Sequence, residues 1–146
     1  MEIRQASLSE ASLLGKFAAL LWSGHSSAEM TEECTALLQQ TDAAFFIAYE
    51  KESPVGFARC QLRRDYVEGT STSPVGYLEG VFVLPACRRQ GIARQLVNTC
   101  QQWARAQGCL EFASDCEVDN AASRSFHTRI GFTEANQIIC YTKKLS

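Results

Sequence analysis

Tyr77-Leu78-Glu79-Gly80-Val81-Phe82-Val83-Leu84-Pro85-Ala86-Cys87-Arg88-Arg89-Gln90-Gly91-Ile92-Ala93-Arg94 contains a strand, a basic turn and the start of a helix in one run. Leu78, Val81, Phe82, Val83 and Leu84 are largely the branched and aromatic residues that a buried strand favours, and Pro85 removes a ladder donor and ends it. Beyond the turn, Ile92, Leu96, Val97, Cys100, Trp103 and Ala104 recur at helical spacing and make one apolar stripe, with Gly108 where a left-handed C-cap belongs. The pattern predicts a strand over 77–84 and a helix over 91–107. Between them, Arg88, Arg89, Gln90, Gly91, Ile92 and Ala93 combine unpaired N–H groups, a glycine that permits close approach and two guanidinium groups at a helix N-terminus. The macrodipole there favours an anion, so the turn is predicted to bind phosphate.

A second landmark lies about forty residues on. Asn120-Ala121-Ala122-Ser123-Arg124-Ser125-Phe126-His127-Thr128-Arg129-Ile130-Gly131-Phe132 is an Asn-led helix closed by Gly-Phe. With the basic turn, which matches Arg/Gln-x-x-Gly-x-Gly/Ala, it resembles the GCN5-related N-acetyltransferase (GNAT) family in order and spacing over nearly the whole chain. Tyr77–Pro85 and Asp115–Asn120 look most like the aminoglycoside 6′-N-acetyltransferases within it. The resemblance implies an α/β, single-domain fold over 1–146, with a mixed central sheet, splayed parallel strands and helices on both faces.

The other segments are read from their residues. Glu2–Ala6 is an opening strand. Ser7-x-x-Glu10 is a capping box for a helix with Ala11, Leu14, Phe17, Ala18 and Leu21 on its apolar face, closed by Trp22. Ser23–Ala28 is a polar linker, and Thr31 is expected to cap a second helix running to Gln40. Strands over 43–49 and 55–62 form a hairpin, followed by a loop from Arg63 to Ser73. A strand over 111–116 must run parallel to the central one, because a whole helix crosses between them. A helix over 120–130 and two final strands, 132–136 and 138–145, complete the order.

Composition bounds the function. The chain has 146 residues, 46% hydrophobic and 21% charged, with net charge −2. That is enough chain for a core without staples, and no excess of cations supports nucleic-acid binding. Seven scattered cysteines with no Cys-x-x-Cys, and two distant histidines, His25 and His127, indicate neither a zinc site nor a redox dithiol. Reduced core cysteines fit a cytoplasmic protein. No apolar run suggests a signal peptide or a membrane span.

The resemblance also implies roles. Acetyl-CoA would be the co-substrate, with no metal. Its pantetheine arm would lie between the splayed strands against the backbone of Val81 and Val83, its pyrophosphate on Arg88, Arg89, Gln90, Gly91, Ile92 and Ala93, and Asn120 on its other side. The Phe82 N–H would polarise the thioester carbonyl. His127 stands where many members carry a tyrosine that protonates the leaving thiolate; imidazole donates near neutral pH but with a different reach. Trp22 borders the acceptor cleft in the resembled enzymes.

Glu79 is the carboxylate best placed to hold an ammonium and take its proton, directly or through water. Strand alternation alone would point it outward, whereas Gly80 beside it predicts a bulge that turns it into the cleft. Asp115 lies across the same opening, with Tyr66 and Glu134 as further contributors to the acceptor site. The expected activity is acetylation of the aminoglycoside 6′-amine in a ternary complex, conferring resistance, by a homodimer with an apolar C-terminal strand. The alternatives are acetylation of a polyamine or a protein N-terminus, and an acetyl-CoA-binding module without turnover.

Overall fold

Five strands form one sheet in the order β1-β2-β3-β4-β5: Glu2–Gln5, Ala43–Glu50, Ser53–Arg63, Val75–Val83 and Phe112–Ser114. The computed structural model describes residues 1–146. The first four strands run antiparallel to their neighbours, and β5 lies parallel to β4. Helices α1 (Ala11–Leu21), α2 (Ser27–Leu38), α3 (Ile92–Ala106) and α4 (Ala121–Arg129) cover it.

The two faces bury separate cores. On one, Leu14, Phe17 and Ala18 of α1 and Met30 and Cys34 of α2 meet Phe45, Ile47, Phe57 and Phe82 of the sheet. On the other, Ile92, Leu96, Val97 and Cys100 of α3 meet Phe46, Ala58, Cys60, Leu78 and Val83, and Phe126, Ile130 and Phe132 of and beyond α4 pack on the same cluster. This layering follows from period-2 alternation in the strands and the 3.6-residue stripe of α3. Gly15 lets α1 and α2 touch, since a Cβ there would lie 1.9 Å from Thr31 Oγ1.

The capping box at Ser7 forms, with Glu10 Oε1 accepting from the Ser7 N–H at 2.9 Å, although its first turn is a 3-10 turn before α1. Helix α2 starts earlier than expected. Its cap is Ser26, whose Oγ accepts from Glu29 N–H at 3.1 Å, and not Thr31, which lies inside the helix and bonds back to Ser27 O. Ser26-x-x-Glu29 is a second capping box, and it converts the end of the expected linker into helix. Arg63 belongs to β3, paired with Val75, so the connecting loop runs from 64 to 74 and β4 begins two residues before Tyr77.

The two final strands do not form. No backbone hydrogen bond is made within the chain beyond Phe132, and Ile138, Ile139 and Tyr141 stand 68%, 78% and 87% exposed. Their composition suits a pleated surface, but a strand exists only where another takes up its peptide groups.

Candidate functional site

The site begins where β4 and β5 part. Their register ends at Leu78↔Ser114, while β4 runs on to Val83 with nothing beside it. On its other edge β4 carries a bulge: Cys60 pairs with Leu78 and Arg59 with Gly80, so Glu79 is the extra residue. The bulge expected from Gly80 is therefore present. A bulge shifts the alternation of every residue beyond it. Leu78 O faces β5, accepting from Ser114 Oγ at 3.3 Å. Beyond the bulge, Val83 O points away from β3 and accepts from Arg88 Nε at 2.8 Å, while Leu84 N–H of the same peptide donates to Val55 O on β3. Phe82 O lies against Gly56 on β3.

Peptide planarity then assigns the groups. Val83 N–H and Val81 C=O face the open slot, as expected. The Phe82 N–H faces β3, so the expected oxyanion role falls away: that donor belongs to the sheet.

At the far end of the slot, Pro85–Cys87 makes one 3-10 turn before Arg88, Arg89, Gln90 and Gly91. Arg89 and Gly91 have φ of 65° and 80°, and the Arg89, Gln90 and Gly91 N–H groups make no backbone hydrogen bond. Gly91 caps α3 without a side-chain partner, so the first-turn N–H groups of Ile92 and Ala93 also point outward. Arg88, Arg89, Gln90 and Gly91 are exposed, which leaves a concave row of donors and guanidinium groups suited to a pyrophosphate. Asn120 caps α4, accepting from Ser123 N–H at 3.1 Å.

His127 projects from α4 to the point where the strands part. Its Nδ1 lies 2.7 Å from Ser123 O and its Nε2 2.8 Å from Ser114 Oγ. A carbonyl only accepts, so Nδ1 donates its proton to Ser123 O, and Nε2 and Ser114 Oγ are hydrogen-bonded to each other. Ser114 was missed in the sequence. Its signal was the alternation from Phe112, which turns both toward the helix face.

On the opposite face lies a cavity of about 730 Å³, walled in part by Trp22, Arg59, Glu79 and Asp115. Glu29, Glu33 and His25 complete its rim from α2 and the turn before it. Four carboxylates against one guanidinium make it anionic. Trp22 packs on Gly80, meets Phe57 edge-on at 6.3 Å and lies beneath Arg59 at 5.8 Å. Tyr66 is 75% exposed in the 64–74 loop, and Glu134 pairs with Arg124 at 3.4 Å; neither lines this cavity. Glu29 and Glu33 were missed because a helix face with few apolar residues carries no sign of which neighbour it looks onto.

Glu79 is ion-paired. Arg63 donates to it from Nε at 3.1 Å and from one terminal nitrogen at 2.9 and 3.0 Å, while lying 3.5 Å over the Tyr77 ring. The Tyr77 hydroxyl donates to Asp115 Oδ2 at 2.5 Å. Burial, then the Asp115 hydrogen bond and charge, push the Tyr77 phenol well above its ordinary value of 10.0, so it stays a donor.

A mixed sheet with a splayed parallel pair, a basic turn opening a helix at one end of the slot and an anionic cavity across it define an acetyltransferase domain. The chain belongs to the acetyltransferase (GNAT) family, whose model matches residues 14–132. It is 41% identical over 127 residues to an aminoglycoside N(6′)-acetyltransferase type 1 of Acinetobacter genomosp. 13, and 40% identical over 124 residues to one of Salmonella typhimurium. The first match covers 86% of each chain, the second 85% of this chain and 86% of the relative. Among solved structures it resembles aminoglycoside N-acetyltransferase AAC(6′)-Iy in complex with CoA, with TM-score 0.94 and 37% identity over 98% of this chain and 94% of that one. The apo AAC(6′)-Ig from Acinetobacter haemolyticus aligns over the full length of both chains with the same score and identity. AAC(6′)-Iy has also been solved with a bisubstrate analogue, CoA-S-monomethyl-acetylneamine, and matches with TM-score 0.93 and 37% identity over 98% of this chain and 97% of that one.

Proposed function

We propose that this chain transfers the acetyl group of acetyl-CoA directly to the 6′-amine of aminoglycosides, in a ternary complex, and so confers resistance. The observation that carries the reading is the anionic cavity opening beside the splayed slot, in a chain similar over nearly its whole length to aminoglycoside N(6′)-acetyltransferases. Several ammonium groups in one acceptor meet Glu29, Glu33, Glu79 and Asp115, which supply attraction and orientation together. Acetyl-CoA supplies an activated acyl group, and the residues of the slot fit it. Val83 N–H and Val81 C=O pair with the pantetheine amides as a strand would, Arg88 to Ala93 hold the pyrophosphate, and Asn120 closes the other side.

Glu79 and Asp115 hold the reacting amine, and its proton leaves by way of Glu79 to water. The C–N bond then forms as the C–S bond breaks, with the electron pair passing to sulfur. The nitrogen gives up its second proton to water as it becomes the amide, which balances the proton that the thiolate takes up. Ser114 and His127 sit where the strands part, and the proton shared by Nε2 and Ser114 Oγ is the one available to that sulfur. Residues 1–146 act as one cytoplasmic catalytic domain. A second copy gives the exposed Ile138, Ile139 and Tyr141 a partner, so the enzyme works as a homodimer.

The test is thiol release from acetyl-CoA against aminoglycosides, polyamines and short peptides, with an aminoglycoside bearing a 6′-hydroxyl as control. Turnover is expected with 6′-amino drugs and not with the hydroxyl analogue. Turnover confined to polyamines or peptides overturns the acceptor, and none at all overturns the enzyme. The double variant Glu79→Gln, Asp115→Asn is expected to keep CoA affinity while losing about 10²-fold or more in turnover.

A further inference from the structure

Glu79, the carboxylate that borders the cavity, already holds a cation. Arg63 reaches it from the last position of β3, through a fork engaging both oxygens. The guanidinium is not part of the cavity wall: it approaches from the side of the loop, and the side chains of Arg63 and Glu79 are 39% and 13% exposed. Its stacking on Tyr77, whose hydroxyl is bonded to Asp115, ties one resident cation to both acceptor carboxylates. Glu29 and Glu33 have no such partner; of the two, only Glu29 has a neighbouring imidazole, His25 at 3.5 Å.

We infer that Arg63 is a specificity-determining residue of the acceptor site, a built-in counter-cation with which every acceptor must share Glu79. The inference rests on the acceptor reading above. A single ammonium placed at Glu79 gains the carboxylate and meets the guanidinium behind it, so attraction and repulsion largely cancel. An acceptor with further ammonium groups also reaches Glu29 and Glu33, neither of which is ion-paired to a guanidinium, and such an acceptor binds best. Acetylation removes the charge of the reacting amine. Glu79 then returns wholly to Arg63, and the product is held more loosely than the substrate.

The test is calorimetric binding of neamine, a tetra-amine, and glucosamine, a monoamine, to the CoA-loaded protein and to Arg63→Gln and Arg63→Lys. Arg63→Gln is expected to bind neamine about fivefold more tightly, with a larger relative gain for glucosamine, as fits the loss of one partly exposed cation. Arg63→Lys keeps the charge but loses the fork, and is expected to gain about threefold on the same reasoning. If Arg63→Gln does not fold, the lysine variant carries the test. Unchanged or weaker neamine binding in a variant with normal melting and CoA affinity overturns the inference. A wild-type protein that binds neamine but releases no thiol from acetyl-CoA overturns the acetylation reading instead and leaves the Arg63 comparison standing.

Discussion

Substituting Gly80 by alanine separates the acceptor cavity from the cofactor slot. Gly80 does not have a left-handed φ, so the objection to a side chain there is steric. An added Cβ would lie 2.5 and 2.8 Å from the Trp22 Cζ2 and Cη2 atoms and 2.9 Å from Leu21 Cδ2. Carbon pairs ordinarily rest about 3.5–4.0 Å apart, so the indole must withdraw by about 1 Å. Its way back is limited by Phe57, whose side chain is fully buried. Overpacking of this kind costs about 1–3 kcal/mol, and at about 2–4 °C per kcal/mol for a chain of this size the melting temperature falls by about 2–12 °C. The displaced Trp22 forms the cavity wall and lies beneath Arg59, whereas the slot is built from Val81, Val83 and the 88–93 turn. Acceptor KM is therefore expected to rise severalfold with CoA affinity kept within about twofold, as for a local shift in packing. Steady-state kinetics with the acceptor varied, beside CoA titration and differential scanning calorimetry, make the comparison. Unchanged melting and unchanged acceptor KM would refute the close packing of Trp22 on β4. Equal losses for acceptor and CoA would refute the separation of the two sites.

Acid should weaken the fold in a defined window. Burial opposes the charge of Glu10, but hydrogen bonds from Tyr49 and Ser7 outweigh it and hold its pKa below the ordinary 4.5; Thr72 and Ser71 do the same for Glu111. The unfolded chain takes up these protons near 4.5, so their stabilisation is present above that pH and is lost as pH falls through the lower folded values. Melting temperatures should drop below about pH 4.5, less steeply in Glu10→Gln, and a flat profile would contradict the assignment. Thiol labelling should be selective. Burial pushes the Cys34 thiol up to about 11, and the Cys60 contact and burial raise Cys100 well above 9.0, while Cys116 and Cys140 are exposed. Iodoacetamide followed by mass spectrometry should modify Cys116 and Cys140 first and Cys34 and Cys100 only on unfolding. Replacing Arg88 and Arg89 together by alanine should weaken CoA by about 10–100-fold, from lost charge-assisted bonds, and leave a phosphate-free pantetheine fragment unaffected; an equal loss for both would mark a folding defect.

Much of the architecture is written locally. The apolar stripe of α3, the capping box at Ser7, the stop at Pro85 and the basic turn each depend on near neighbours in sequence, and each forms where those neighbours require it. So does the bulge, which Gly80 announces; it directs Val81 and Val83 to the slot and Glu79 to the cavity. What the sequence left open depends on partners far along the chain. Which carboxylates share the cavity was decided by α2 packing on α1 and β2, which brings Glu29 and Glu33 to the same cavity as Glu79 and leaves Tyr66 and Glu134 aside. The state of Glu79 was decided by Arg63, sixteen residues away and a loop residue by its local sequence, which sheet pairing brings alongside. The fate of the Phe82 N–H was decided by the direction of its peptide relative to β3. The C-terminal strands failed for the same reason: residues 138–145 have the composition of a strand, but hydrogen bonding needs a neighbouring backbone, and no residue type can supply one.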